Sequence, residues 1–490
     1  MNNLKEKTIN GVAWETTNSG IRFVVHFVVS IILARLLSPD DYGLIGIIVI
    51  FTSIADCITI SGFFSSLIQK KNAGPDDYNT MFFSNMVSSS VLYIILFFCA
   101  PLIAGYFRRA ELVELIRVQS TTLVISAFAL VQRARFAKKM DFKTPAKIAF
   151  FSSIFSGIIG IVLAFCGFGV WALVLSTVAS TLMITVLNCV YSRWMPNLRF
   201  SISSFKELFG YGWKVLIAEL LDTIWMQLYQ LVVGRRYSPE TLGQYTRGKG
   251  FVDLFSTTIY NVTRTVTFSS LSQVQDDVEQ TRLVFRKMIK VLIFITSIGV
   301  FGVAAVGKSM VLVLIGEQWL PCVSFLQILC FGSLLYPINA TNMNLLKSQG
   351  RSDVFLILSI VRKVLEIGPI LLGVFIGIKW MVWGGVVTNW IAFFLYSHFT
   401  GKQINYSGRQ QFLDLLPSLG IAVVMAAPVW MMSFIDISPF VIFPMQILVE
   451  VGIVVCLCEA TKREEYLEVK SIVLSTIYKL ANRFKERYHE

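Results

Sequence analysis

Long apolar runs recur along the whole chain, each broken by a short polar or charged stretch. A membrane-crossing helix needs about 20 mostly apolar residues, and the runs reach that length repeatedly. They predict spans at 10–36, 42–66, 80–105, 112–134, 145–166, 169–191, 209–233, 241–267, 285–306, 321–346, 353–377, 380–400, 411–434 and 439–460. At about 35 residues per helix and loop, 490 residues accommodate about 14 such spans. The last stretch, 461–490, is charged. Its apolar positions Tyr466, Val469, Ile472, Val473, Ile477 and Leu480 fit an amphipathic surface helix on the cytoplasmic side. The expected fold is an all-α integral membrane protein.

Composition agrees. Hydrophobic residues make up 55% of the chain, charged residues 15%, and the mean hydropathy is +0.67. A soluble protein would be about a quarter charged, so a soluble enzyme is excluded, and so is a disordered chain. The net charge of +13 would suggest nucleic acid in a soluble protein. Here the tendency of cytoplasmic loops to collect Lys and Arg explains it, and no nucleic-acid partner is expected. With both termini in the cytoplasm, only seven of the 43 basic residues fall at the outer side: Arg35, Arg108, Arg109, Arg235, Arg236, Lys308 and Lys379. The densest basic cluster, Arg133, Arg135, Lys138, Lys139, Lys143 and Lys147, lies between spans four and five. This bias sets the topology and calls for an even number of spans. Eight scattered cysteines with no CxxC read as small buried hydrophobes. Three histidines are too few for a His-rich metal site. Lys5 and Lys7 precede a first span that carries Glu15, Arg22 and His26, a poor signal-peptide core and therefore a retained span.

The sequence is internally duplicated. Arg35-Leu36-Leu37-Ser38-Pro39 before Gly43 matches Arg235-Arg236-Tyr237-Ser238-Pro239 before Gly243. Phe64-Ser65-Ser66-Leu67 and Gln69 match Phe268-Ser269-Ser270-Leu271 and Gln273. Asp141 matches Asp353, and Val170-Trp171-Ala172 matches Val382-Trp383-Gly384. The offset grows slowly from 200 to 212 residues. Ser38 and Ser238 suit helix N-caps, with Pro39 and Pro239 at the first helical position. Copies six spans apart insert the same way up, as a parallel repeat. The expected organisation is an N-lobe at 1–200 with spans 1–6, a C-lobe at 201–405 with spans 7–12, two further spans at 406–460, and the tail at 461–490.

Ionisable residues in hydrocarbon are costly and usually face a cavity or a partner. Glu15, Asn18, Arg22 and His26 recur on one face of span 1, and Lys249, Asp253, Thr257, Tyr260, Asn261 and Arg264 on one face of span 8. Span 7 offers Glu219, Asp222, Thr223, Gln227 and Gln230. Span 2 adds Asp56, and span 11 adds Glu366 with Arg362 and Lys363 nearer the cytoplasm. Two readings stand for any one of these residues: it holds helices together by pairing, or it lines a hydrated cavity between lobes. The concentration of polar stripes on spans 1, 7 and 8 favours the cavity. Its cations Arg22, Lys249 and Arg264, with Arg247 close by, suit an anionic head group such as a phosphate. Arg22, about 18 Å into span 1, is the preferred contact. Asp56, Glu219, Asp222, Asp253 and Glu366 are candidates for a coupling proton or sodium ion, and no other cofactor is expected.

Catalytic patterns are missing: the sequence has no Walker loop, GxSxG or HExxH. Asp40-Asp41 is the nearest approach to a metal-binding acidic pair. Both acids fall in a first helical turn, where the helix dipole favours them. Asp76-Asp77 after Gly74-Pro75 reads as another helix start.

The segment from Leu33-Ala34-Arg35 through Asp40-Asp41-Tyr42-Gly43-Leu44 resembles the first-loop signature of a known family. That family is the polysaccharide-transporter branch of the multidrug/oligosaccharidyl-lipid/polysaccharide exporter superfamily. Gly62-Phe63, Ser66-Leu67-Ile68-Gln69-Lys70-Lys71, Phe268-Ser269-Ser270-Leu271 with Gln273 to Asp277, and Gly316-Glu317-Gln318-Trp319 extend the resemblance to about Gln410. The likeness is strongest to Wzx-type, colanic-acid-exporter-like flippases. It implies a two-lobed transporter of a bacterial inner membrane that moves an undecaprenyl-pyrophosphate-linked sugar unit to the outer leaflet by alternating access. It also implies a polymerase and other polysaccharide-assembly proteins as candidate partners. A drug/cation antiporter of the same superfamily and a lipid-sugar polymerase are the competing readings. The cationic cavity argues against the first, and the short outer loops argue against the second.

Overall fold

A computed structural model of the chain describes residues 24–70, 72–139, 141, 143–273 and 277–471. Within these, the side chains of residues 61, 211, 255, 257–270, 272, 273 and 352 are outside the description. The described residues contain helices and no strand. In chain order the helices are α1 (Val24–Leu36), α2 (Pro39–Gln69), α3 (Pro75–Phe107), α4 (Leu112–Ala127), α5 (Leu130–Lys138), α6 (Lys143–Phe165), α7 (Val170–Ser192), α8 (Ile202–Arg236), α9 (Pro239–Gln273), α10 (Val278–Leu314), α11 (Leu320–Ser333), α12 (Tyr336–Ser348), α13 (Ser352–Phe375), α14 (Ile378–Ile404), α15 (Gly408–Met431) and α16 (Pro439–Thr461). A short α17 follows at residues 464–471.

Ten of these stretches are long and apolar enough to cross a membrane, or eleven if the bent pair α4–α5 is one span. The expected spans that fall short are α1, described over 13 residues, α9 and α13. They correspond to spans 1, 8 and 11, which carry intramembrane charges. In α9 and α13 the same residues that mark a candidate site lower the apolar signal, whereas α1 falls short by its described length.

Two expected spans are broken. Span 4 is two helices meeting at 44°. Before the break, Ser120, Thr121, Thr122 and Ser126 all turn their hydroxyls back onto carbonyls three or four residues earlier. Such back-bonding loosens the helical ladder and bends helices. Span 10 is α11 plus α12, and Pro337 opens α12, where its missing N–H is harmless. The basic cluster expected as a loop after span 4 is helical through Lys138.

The chain forms two compact units, Met1–Thr246 and Arg247–Glu490. The boundary lies within α9, whereas the duplication divides the sequence at 200/201. Compactness keeps α8 with the first unit because it packs closely on α2. Gly62 and Gly212 make that approach possible: a Cβ at Gly62 would lie 2.9 Å from the Gly212 carbonyl oxygen, and one at Gly212 2.6 Å from that of Gly62. In the same unit, Gly43 and Gly243 meet the other copy's proline. A Cβ on either would lie inside the van der Waals contact of the Pro239 or Pro39 carbonyl oxygen.

The outward faces are apolar. Phe98 and Leu102 on α3 and Phe165 on α6 are each at least 70% exposed, while Asp77, Asn79, Ser84, Asn85 and Ser89 of α3 are buried. Polar-in and apolar-out is the arrangement a bilayer demands. In the second unit the beginning of the tail is docked. Tyr466 and Val469 pack against Phe294, Ile421 and Cys458, and Glu468 pairs with Lys287. The rest of the expected amphipathic tail, residues 472–490, lies outside the described residues.

Candidate functional site

In the first unit, α2 carries Asp56 inward, and Arg133 on α5 is the opposite charge acting on it. Gln132, beside Arg133, points its amide nitrogen at Cys189 Sγ at 3.5 Å. Its carbonyl oxygen is buried without a hydrogen-bond partner, as are Asn85 Oδ1 on α3, Gln119 Oε1 on α4 and Asn188 Oδ1 on α7. These acceptors give the interior of this unit a polar lining. Glu219 and Asp222 stand exposed on α8, and Gln227 has a buried carbonyl oxygen without a partner.

One end of this unit is an ion network. Lys70 donates to Asp77 Oδ1 at 2.9 Å and to Glu207 Oε2 at 2.8 Å. Lys138 donates to the Lys70 carbonyl at 2.5 Å. Glu207 and Asp77 together hold the Lys70 ammonium above its ordinary value. Asn79 and Thr80 accept from the backbone of Asn197 and Ser201. The chain between α7 and α8 is thereby tied to the start of α3.

In the second unit, α9 presents Arg247 and Lys249. The Arg247 guanidinium lies 5.3 Å from the Phe251 ring centroid and 5.9 Å from that of Trp319. An aromatic face holds an arginine by cation–π attraction without neutralising it. Lys249 pairs with Asp253 one turn on. On α13, Arg362 Nε donates to Glu366 Oε1 at 3.1 Å, and a second nitrogen reaches Asn389 Oδ1 at 3.5 Å. The Tyr396 hydroxyl meets the same guanidinium. Asn389 also donates to the Gly332 carbonyl at 3.3 Å. This network joins α11, α13 and α14 around one half-buried ion pair.

The expected site residues therefore separate into three groups. Arg247, Lys249, Asp253, Asp56, Glu219, Asp222, Gln227, Glu366 and His26 are placed, with His26 exposed on α1. Glu15, Asn18 and Arg22 lie outside the described residues. Tyr260, Asn261 and Arg264 fall on α9 where side chains are outside the description. Two acids have acquired specific partners. Asp253 belongs to Lys249 and Glu366 to Arg362, so any ion taken up at either must compete with a fixed cation. Sequence reasoning did not foresee the roles of Arg133, Trp319, Asn389 and Tyr396. The i,i+4 spacing of Arg362 and Glu366 is the signal from which their pair could have been read; the other partners come from distant helices.

The acidic pairs have structural explanations. Asp41 accepts from the Ser38 backbone N–H at 2.9 Å and the Ser38 hydroxyl at 2.7 Å, while Asp41 N–H donates to Ser38 Oγ at 3.2 Å. Asp40 pairs with Arg109. Asp77 caps the Gly74 N–H at 2.9 Å. Among the described residues, no group of three His, Cys, Asp or Glu side chains is arranged to hold a metal ion.

Residues 32–324 match the model of a family described as polysaccharide biosynthesis protein. The chain is 24% identical to the lipopolysaccharide biosynthesis protein WzxC of Escherichia coli K12 over 76% of each protein. It is 23% identical to the succinoglycan biosynthesis transport protein ExoT of Rhizobium meliloti, over 85% of this chain and 86% of that one. Its fold is that of an inward closed structure of the lipid II flippase MurJ, with a TM-score of 0.76 at 14% identity, covering 92% of this chain and 99% of the other.

Proposed function

The chain belongs to the polysaccharide biosynthesis protein family, and from that membership we propose that it is a flippase for lipid-linked polysaccharide repeat units. The substrate is an undecaprenyl-pyrophosphate-linked oligosaccharide, carried from the cytoplasmic to the outer leaflet of a bacterial inner membrane by alternating access. Both termini face the cytoplasm, as the Lys and Arg distribution favours. Relatives named for transport support this reading, as does the fold shared with a lipid II flippase. The observation that carries it is cationic: Arg247 and Lys249 sit together on α9, packed among helices that cross the membrane.

Pyrophosphate carries its charge on oxygens that arginine meets in bidentate fashion. Arg247, which lies against the Phe251 and Trp319 rings, is the arginine we assign to such a contact. Lys249 reaches a phosphate by exchanging Asp253 for it, and that exchange couples substrate entry to release of an acid. Asp253 then takes up a proton or sodium ion, with Asp56, Glu219, Asp222 and Glu366 as the other acids in reach of this role. Arg22 and Arg264 complete the cationic set.

The test is the fate of lipid-linked oligosaccharide after deletion of this chain in its host. Extracted lipids are compared after treatment of cells with a membrane-impermeant sugar-modifying reagent. The expected outcome is accumulation of unmodified repeat units and loss of surface polymer. Units that are modified but unpolymerised would instead point to a polymerase.

A further inference from the structure

The second unit contains a cavity of about 550 Å³ that the transport reading does not use. Its walls come from α10, α11, α14 and α15. Phe301 meets Phe331 edge-on at 5.4 Å, and Phe331 stacks on Trp383 at 6.1 Å, so one wall is a continuous aromatic surface. Trp430 lines the opposite helix, its ring braced at 4.8 Å by Phe434. Gln327 turns its amide nitrogen onto the Ala304 carbonyl at 3.1 Å, which leaves its alkyl stem toward the space.

Lys379 is the single charged lining residue. It is exposed and has no hydrogen bond or ion pair among the described residues. Its position is unfavourable on two counts. It occupies the first turn of α14, where the helix dipole disfavours a cation. By the charge bias it also lies on the outer side, where basic residues are scarce. Neither helix stability nor topology explains it. An apolar cavity of drug-sized volume with one unpaired cation at its rim has the chemistry of a site for an amphiphile with an anionic head.

We infer that this cavity binds an anionic phospholipid of the outer leaflet, one acyl chain against the aromatic wall and the phosphate on Lys379. The helices that form it span the membrane, so a bilayer lipid reaches it laterally without crossing water. The inference needs only the membrane setting and stands whatever the chain transports.

Native mass spectrometry of the full chain in detergent tests it, with phosphatidylglycerol and phosphatidylcholine of matched acyl chains as probes. Phosphatidylglycerol is expected to bind about tenfold tighter, because both lipids offer Lys379 a phosphate but the choline of phosphatidylcholine cancels the net charge of its head group. Lys379→Gln should abolish that preference, with the larger loss in phosphatidylglycerol. Ala427→Phe, which fills the cavity, should weaken both. Equal binding of the two lipids by the unsubstituted chain, or unchanged selectivity in Lys379→Gln, overturns the proposal. So does binding of polyprenyl pyrophosphate in a Lys379-dependent way where phosphatidylglycerol fails, because the cavity would then belong to the transported lipid.

Discussion

The two copies of the Ser-Pro-x-x-x-Gly turn begin two helices in the same way and finish them differently. In the first, Ser38 and Asp41 form a reciprocal capping box, and Asp40 pairs with Arg109. In the second, Thr241 stands where Asp41 does. Its N–H donates to Ser238 Oγ at 3.1 Å, and the two hydroxyls lie 2.9 Å apart. Ser, Pro and Gly are common to both, as is an acid after the proline (Asp40, Glu240), but the capping acid Asp41 has no counterpart. A helix start can satisfy its N–H groups in several ways, so that chemistry is free to vary. The glycines have no such freedom. Gly43 lies against the Pro239 carbonyl and Gly243 against the Pro39 carbonyl, so each copy fills the space the other leaves.

The largest effect should follow from breaking that reciprocity. Gly43→Val or Gly243→Val places side-chain carbons where a backbone oxygen already sits, and a backbone oxygen cannot rotate away. Overpacking of this kind costs about 1–3 kcal/mol or more. Export should fall to background, and the melting temperature of the purified protein should drop. The pair Gly43→Ala and Gly243→Ala sharpens the comparison. Because both substitutions disturb one contact, the double variant should lose less than the sum of the singles. Full additivity in thermal unfolding would show that the two glycines act separately. Gly62→Ala, farther along α2, should come next, at about 1–2 kcal/mol, since its Cβ would fall 2.9 Å from the Gly212 carbonyl oxygen.

The duplicated turn was legible in the sequence because caps and prolines act locally. The helices were legible for a related reason, since hydropathy is a property of each segment and needs no partner. Two kinds of feature were hidden. Breaks inside spans depend on hydroxyls competing with the backbone, as in the Ser120 to Ser126 stretch. Partners from remote helices depend on the fold: nothing near Asp56 in sequence announces Arg133, and nothing near Arg247 announces Trp319. The candidate site was legible as residue types on helix faces, but not as pairs. Lys249–Asp253 and Arg362–Glu366 are exceptions, because i,i+4 spacing is readable without a structure. Glu366→Gln removes the carboxylate that Arg362 faces. The pair is half-buried, so leaving the guanidinium without its acceptor should cost about 1–3 kcal/mol, toward the lower end because Arg362 keeps Asn389 and Tyr396. Thermal unfolding of Glu366→Gln beside Arg362→Gln/Glu366→Gln separates that loss from any effect on ion coupling. The double variant should regain stability but not export.

The smallest effects should come from the caps themselves, and their ranking tests what distinguishes the two copies. Asp41→Ala removes two acceptor contacts from the Ser38 end, at about 1 kcal/mol. Thr241→Ala removes only the hydroxyl pair, because the residue-241 N–H still donates to Ser238 Oγ. It should cost a few tenths of a kcal/mol, roughly the smaller part of an ordinary hydrogen bond. Asp40→Asn should fall near the second value. Both Asp40 and Arg109 are about a third exposed, and water screens such a pair to about 0–1 kcal/mol. Measured by thermal unfolding, Asp41→Ala should exceed both of the others. If Thr241→Ala equals it, the acid adds nothing to the first cap, and the two starts differ in residue type but not in strength.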